Sequence, residues 1–361
     1  MDGWKMQCYN IEYKFSKTNI MRNKMKNENR RIKAIAIFLL SLIVLLLPGS
    51  AMAQSQQEDP TPNTTAAILY ESTTGTVLYE KNADEQLLPA SMTKIMTAIL
   101  VLEQNPQLEG EFTVSDDAVS PYYCSYMIPQ KHLLGGEVIS YEDCMRFMLV
   151  RSANDAANAL AFEIGGSMKG FTDMMNAKAE ELGCENTHFS DPSGLSSYKH
   201  YTSARDMIKI AEYAMQFDKF RELVLQDGGT IPPSNKRQKG FDYEPVNGMV
   251  FPDERCANPY VQYMKGIKDG WIPLSGYCYT GCMEKDGLVW YSAVFGGDDI
   301  PDGNGGYLQG AYVDTVSLYD MTEGLTAEDL KKPKTGIRIT LIAIAAAVIA
   351  AGMFLWHRKK R

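Results

Sequence analysis

Two uncharged apolar runs, one near each end, decide how much of this 361-residue chain can fold in water. Near the start, Arg30, Arg31 and Lys33 precede the apolar run 34–47, which gives way to Pro48, Gly49 and the small-residue pattern Ala51-Met52-Ala53 before Gln54. A basic flank, a short apolar run and a small-x-small site together read as a cleavable export signal. An uncleaved anchor, the alternative, would want a longer span. Residues 1–53 are therefore read as leader and signal peptide, with Met21 or Met25 as other possible starts. At the far end, residues 339–356 form an uncharged run of about 18 residues, just long enough to cross hydrocarbon. The basic tail 357–361 should stay inside, which leaves the body outside the cell. An interfacial amphipathic helix is the competing reading, but the run has no polar face.

Charge is segregated in the same way. Residues 1–33 carry about +6 and residues 336–361 about +5, leaving roughly −19 on the rest of a chain whose net charge is −8. An acidic exported body argues against nucleic acid as a partner. Of the seven cysteines, Cys124, Cys144, Cys184, Cys256, Cys278 and Cys282 follow the signal. That even number permits disulfides outside the cell without requiring them. Their spacing is not that of a zinc site, and the four histidines form no His-Glu-x-x-His pattern, so neither a metal nor another cofactor is expected.

Within the body, 54–65 is polar, contains two prolines and reads as a tether. Residues 66–70 and 75–79 read as a β-hairpin closed by Glu71-Ser72-Thr73-Thr74. Then comes Pro89-Ala90-Ser91-Met92-Thr93-Lys94, a turn that runs straight into an apolar helix to about Glu103, with Met92, Ile95, Met96 and Ile99 on one face. Ser91 at the helix start and Lys94 one turn on share a side. A serine becomes a nucleophile when a base takes its proton, and a lysine serves if it is made less basic than its usual value of about 10.4. Backbone N–H groups at the same helix end suit a developing oxyanion. The plainer reading makes Ser91 an N-cap and Lys94 a snorkelling surface lysine. Ser-x-x-Lys is a short pattern, and the chain holds a second one, Ser196 to Lys199, in a polar loop.

Residues 108–137 read as loop. Ser140 with Asp143 resembles a capping box for a helix that breaks at Arg151-Ser152-Ala153-Asn154-Asp155 before a second, alanine-rich helix to about Ile164. Asn154 or Asp155 can cap that second helix; alternatively, the turn presents Ser152 and Asn154 together to a cleft. Helices are expected over 168–182 and 204–217, with a loop between that carries His200, read as a hydrogen-bonding fixture rather than a catalyst. Residues 227–262 give no clear element. Strands are expected at 264–271, 277–283 and 288–295, and a helix at about 311–322.

Three pieces then fall in order: Ser91-Met92-Thr93-Lys94, Ser152-Ala153-Asn154 and Lys268-Asp269-Gly270. Together they resemble the motifs Ser-x-x-Lys, Ser-x-Asn and Lys-Thr/Ser-Gly of the penicillin-recognising serine enzymes. The flanks, Leu78 to Asp84, Pro89-Ala90, Asp155-Ala156-Ala157 and Gly194-Leu195 through His200 to Asp206, are similar to the D-alanyl-D-alanine carboxypeptidases, the low-molecular-weight penicillin-binding proteins. The resemblance implies an α/β (α+β) fold of the β-lactamase/DD-peptidase kind: a mainly antiparallel sheet built from both chain ends, a mostly helical region inserted between, and one C-terminal transmembrane helix. The expected organisation is 54–65 tether, 66–322 catalytic domain, 323–338 juxtamembrane linker, 339–356 transmembrane helix and 357–361 cytoplasmic tail. The linker is too short for a further domain, which would keep the site near the bilayer.

By the same resemblance, Ser91 would attack the carbonyl of the penultimate D-alanine of peptidoglycan stem peptides, with Lys94 as proton acceptor. Lys268 would be a second cation, Ser152 a proton relay and Asn154 an orienting group, while Ser91 and Trp271 backbone N–H groups would form the oxyanion hole. Asp269, Gly270 and Trp271 would line the substrate site, and β-lactams would acylate Ser91. The expected place is a bacterial cell membrane, with the domain on the wall side; oligomeric state is left open. Position 269 departs from the pattern, because an ionised Asp would repel a terminal carboxylate that Thr or Ser would help to bind. Ion pairing, protonation or a different substrate end would each reconcile it. Other readings are a wall-peptide binding protein of the same fold, a DD-endopeptidase, and a β-lactamase, for which no deacylating Glu is assignable.

Overall fold

The computed structural model describes residues 59–121, 131–195 and 198–331. The signal and transmembrane readings, Cys8, Cys124 and Ser196 lie outside the described residues. Among those described, no helix is long and apolar enough to cross a membrane.

The scaffold is an antiparallel sheet contributed by both flanks of the body. Strands β1 (Ala66–Glu71) and β2 (Thr76–Lys81) precede the helical region, where β3 (Glu111–Thr113) pairs β4 (Val138–Ser140) and β5 (Gly229–Ile231) pairs β6 (Phe241–Tyr243). Strands β7 (Met264–Ile272), β8 (Gly276–Lys285) and β9 (Leu288–Gly297) follow it. The order β2-β1-β9-β8-β7 puts the first hairpin beside the last, and leaves β7 at an edge. A short β10 (Asp299–Pro301) and β11 (Tyr307–Gln309) lie beyond.

Period-two alternation builds two cores, one on each face of this sheet. Ile68, Cys278, Cys282, Ala293 and Phe295 join the core shared with the helical region. Their neighbours Leu69, Tyr279, Met283, Trp290 and Val294 join a second core under the helix Gly310–Asp320. The helical region comprises α1 (Lys94–Gln104), α2 (Tyr141–Val150), α3 (Asn154–Gly165), α4 (Met168–Glu181), α5 (Ala204–Ala214) and α6 (Asp218–Leu223); α7 (Gly310–Asp320) and α8 (Ala327–Lys331) follow the sheet. Helix α1 is buried almost throughout, from Lys94 to Leu102, because α2, α3, α4 and α5 pack around it.

Three local readings change. Residues 61–65, part of the stretch read as a tether, are fixed to the body: Asn63 Nδ2 and Thr64 Oγ1 both donate to Asp314 at 2.7 Å. The segment read as loop over 108–137 supplies β3, which pairs β4 just beyond it, and the segment read as structureless over 227–262 supplies the pair β5–β6; these three-residue strands are too brief for alternation to register. The cap of α3 is Ala153 rather than Asn154 or Asp155, and it makes no side-chain cap bond. Ser140, by contrast, caps α2 by accepting from the Asp143 N–H. Cys144, Cys184, Cys256, Cys278 and Cys282 are buried free thiols.

Candidate active site

The nucleophile turn is rigid because of what surrounds it. Ala90–Thr93 forms one 3₁₀ turn that leads directly into α1, and Thr93 is fully buried. Thr93 Oγ1 donates to the Ala90 carbonyl and lies 2.8 Å from both that oxygen and His200 Nε2. Since this hydroxyl proton is used on Ala90, His200 Nε2–H is the donor to Thr93, and His200 Nδ1 is left to accept from the Ser190 N–H at 3.0 Å. Burial lowers the His200 imidazole below its ordinary 6.5, which agrees with this neutral tautomer. His200 thus pins the 187–201 loop to the serine turn. Thr97 Oγ1 adds a bond to the Pro192 carbonyl at 2.7 Å.

Ser91 is not an N-cap, and Lys94 is not at the surface: its exposure is 0%. Lys94 Nζ donates to Ser91 Oγ at 2.7 Å, to Asn154 Oδ1 at 2.8 Å and to the Ser193 carbonyl at 2.7 Å. The Ser193 carbonyl is held in place by a turn in which Asp191 Oδ1 accepts from the N–H groups of Ser193 and Gly194. From the sequence, Asp191-Pro192-Ser193-Gly194 reads only as loop. Gly194, at φ +87°, is needed there, since a Cβ would collide with the Ala90 carbonyl.

Ser152 and Asn154 come to the cleft through the break between α2 and α3. The Arg151 and Ala153 N–H groups both return to the Phe147 carbonyl, at 3.2 and 3.3 Å, and Ser152 between them takes φ +63°. Helices usually end this way with glycine. Asn154 then opens α3 with its side chain directed at Lys94, while Asp155, buried, accepts from the Leu133 N–H at 2.6 Å.

Strand β7 supplies the opposite wall. A Cβ on Gly270 would stand 2.7 Å from Ser91 N, so only glycine lets the strand come this close to the nucleophile. Trp271 is 53% exposed at the rim. A cavity of about 360 Å³ is lined by Ser91, Ser152, Asp269, Gly270 and Trp271, together with Val246, Arg255, Tyr277 and Gln309, which the sequence reading did not single out. Lys268 is buried, and Nζ donates to the Asp269 carbonyl at 3.0 Å and Asp269 Oδ1 at 2.7 Å. Asp269 is thus ion-paired with Lys268, one of the three arrangements considered for it. The described residues contain no cluster of side chains suited to a metal ion.

This arrangement has a hydroxyl within reach of a buried amine, a backbone edge beside it and a polar cavity in front, which is the equipment of acyl transfer. The family model described as D-alanyl-D-alanine carboxypeptidase matches residues 52–299. The chain is similar to the D-alanyl-D-alanine carboxypeptidase DacF of Bacillus subtilis, 31% identical over 271 residues that cover 73% of this chain and 66% of the relative. It is also similar to the D-alanyl-D-alanine carboxypeptidase of Streptomyces sp. strain K15, 28% identical over 75% of this chain and 94% of that one. Among solved structures, the Streptomyces K15 DD-transpeptidase superposes with a TM-score of 0.64 at 26% identity, covering 74% of this chain and all of that chain.

Proposed function

The chain belongs to the D-alanyl-D-alanine carboxypeptidase family of serine peptidases, and on that premise we propose that it cleaves the D-alanyl-D-alanine bond of peptidoglycan stem peptides through an acyl-enzyme on Ser91. The observation that carries this reading is the 2.7 Å contact between Ser91 Oγ and the fully buried Lys94 Nζ.

A neutral lysine amine has two N–H donors and one lone pair. Donating to Asn154 Oδ1 and the Ser193 carbonyl, it keeps the lone pair for the Ser91 proton; once protonated, it has the three donors that fit all three acceptors. The same cage therefore accommodates both ends of the proton transfer. Ser91 Oγ bonds to the carbonyl carbon, the oxyanion meets the backbone N–H groups of Ser91 and Trp271, and the C–N bond to the leaving residue breaks as its nitrogen takes a proton by way of Ser152 or Lys94. Water then hydrolyses the ester. Lys268, buried, holds the Asp269 carboxylate that lines the cavity.

The apolar run 339–356 and the signal over 1–53 support a single-pass protein in a bacterial membrane, with the catalytic body on the wall side and open to acylation by β-lactams. The Asp269 carboxylate in the cavity favours, as a second reading, cleavage at a cross-link, where the leaving amine belongs to another stem peptide. The test is mass spectrometry of a stem pentapeptide after incubation with the full chain: loss of one alanine that disappears in Ser91→Ala supports the carboxypeptidase, and an unchanged peptide contradicts it.

A further inference from the structure

The two charged residues that line the cavity, Asp269 and Arg255, are each paired. Lys268 Nζ, 1% exposed, donates to Asp269 Oδ1 at 2.7 Å. Arg255 Nε donates to both carboxylate oxygens of Asp253, at 2.9 and 2.7 Å, and Arg255 Nη2 donates to the Val246 carbonyl at 3.1 Å. Each of these cations faces a carboxylate, so Lys268, Asp269, Arg255 and Asp253 together contribute no net charge. Asp269 is also within reach of the buried Tyr312 hydroxyl, which donates to Oδ2 at 3.3 Å while accepting from the Gly248 N–H at 3.1 Å. Its charge is felt at both neighbours. It adds to burial in holding Tyr312 protonated, and it adds to the Asp253 hydrogen bond in holding Arg255 protonated.

Trp271 is 53% exposed, whereas Asp269, two residues back on the same strand, lines the cavity with its carboxylate held by buried Lys268 and Tyr312. The residue released carries its end group two bonds from the scissile nitrogen, so when the scissile carbonyl is at Ser91 that group sits in the cavity that Ser91 and Asp269 line together.

Given Ser91 as the nucleophile of the proposed peptidase, on which this rests, we propose that Asp269 is a specificity-determining residue that turns the site away from acyl donors ending in a free carboxylate and towards donors whose leaving group is neutral or cationic. The bond chemistry is the same for both donors: the Ser91 ester forms, the C–N bond breaks, the proton passes to the leaving nitrogen, and water closes the cycle. What differs is the end group. A free carboxylate entering the cavity meets the Asp269 charge, while Lys268 and Arg255 are each already paired with a carboxylate. The paired Lys268 offsets part of that repulsion, which leaves an effect of about tenfold in selectivity.

The test compares initial kcat/KM of the full chain on diacetyl-L-lysyl-D-alanyl-D-alanine and on its C-terminal amide, for the parent, Asp269→Asn, Asp253→Asn and Ser91→Ala. Asp269→Asn keeps an oxygen acceptor for Lys268 and removes the charge; Asp253→Asn unmasks Arg255 from the other side. The expected result is an amide-to-acid ratio that falls by about tenfold or more in Asp269→Asn and falls also in Asp253→Asn, with no turnover in Ser91→Ala. Turnover of both donors at the same ratio in parent and variants overturns the role of Asp269 and leaves the peptidase standing. Ser91-dependent turnover of neither donor by the parent overturns both. Should Asp269→Asn not fold, the ratio in Asp253→Asn decides: a fall supports the charge account, and no change overturns it.

Discussion

Gly270 approaches Ser91 so closely that a Cβ at position 270 would lie 2.7 Å from the Ser91 nitrogen, 3.1 Å from Ala90 Cβ and 3.1 Å from the Pro89 carbonyl oxygen. The strand that lines the cavity and the turn that carries the nucleophile therefore fix each other's position. Gly270→Ala must push them apart by several tenths of an ångström. Turnover should fall about a hundredfold, because acyl transfer depends on placement at that scale, while the protein stays folded. Steady-state kinetics beside a circular dichroism melt checks this, and near-parental turnover would show that the wall can yield.

Ser152 should respond to substitution with opposite signs in stability and activity. It sits at φ +63° where glycine is the usual residue, so Ser152→Gly relieves strain of about 1 kcal/mol. The same change removes a hydroxyl from the cavity beside Ser91 and should lower turnover by about tenfold or more. Ser152→Ala should lose activity without the gain in stability. A Ser152→Gly protein that melts lower than the parent contradicts this reading of the turn.

Acid stability should carry the signature of His200. Burial lowers its imidazole in the folded state, whereas the unfolded chain titrates near the ordinary 6.5. The unfolded state therefore binds more protons as pH falls below that value, and stability is lost on acidification. The buried carboxyls of Asp155 and Asp314, raised by desolvation, act in the opposite sense at lower pH. Melting temperatures of parent and His200→Gln between about pH 7 and pH 5 isolate the histidine: the parent should decline more steeply. Parallel profiles would remove His200 as the cause.

The buried thiols should be inert in the folded protein. Burial pushes Cys184, Cys256 and Cys282 up to about 12 and Cys278 up to about 11, and raises Cys144 well above its ordinary value. At pH 8 their reactive thiolate fraction is then very small. Peptide mapping after alkylation should find these five unmodified until denaturant is added. Rapid native labelling of any of them, or a disulfide joining two, would contradict the packing around them.

How much of this was legible depends on length scale. The long strands at both flanks and helices α1 to α5 and α7 follow from periodicities that run for two turns or more, whereas the short α6 and α8 do not. The three-residue strands 111–113 and 229–231 do not, because alternation over so few residues is indistinguishable from loop. At the site, Ser91, Lys94, Ser152 and Asn154 stood out because each belongs to a short local pattern. Arg255, Tyr312 and the Ser193 carbonyl did not, since they reach the cavity or its lining residues only through tertiary contacts, Tyr312 from an expected helix and the other two from segments with no regular pattern. Asn154 shows the limit most clearly. Its type and position suit an N-cap, and only the fold reveals that Ala153 takes that place and frees the amide for Lys94.

The most direct measurement is the rate at which the full chain forms a covalent ester with a β-lactam, read by intact mass after acid quench and located by peptide mapping. The expected result is one adduct on the peptide that contains Ser91, absent in Ser91→Ala and formed about a hundredfold or more slowly in Lys94→Arg, whose guanidinium cannot give up its proton. An adduct that persists in Ser91→Ala, or a Lys94→Arg protein acylated at the parental rate, would contradict the assignment of nucleophile and base.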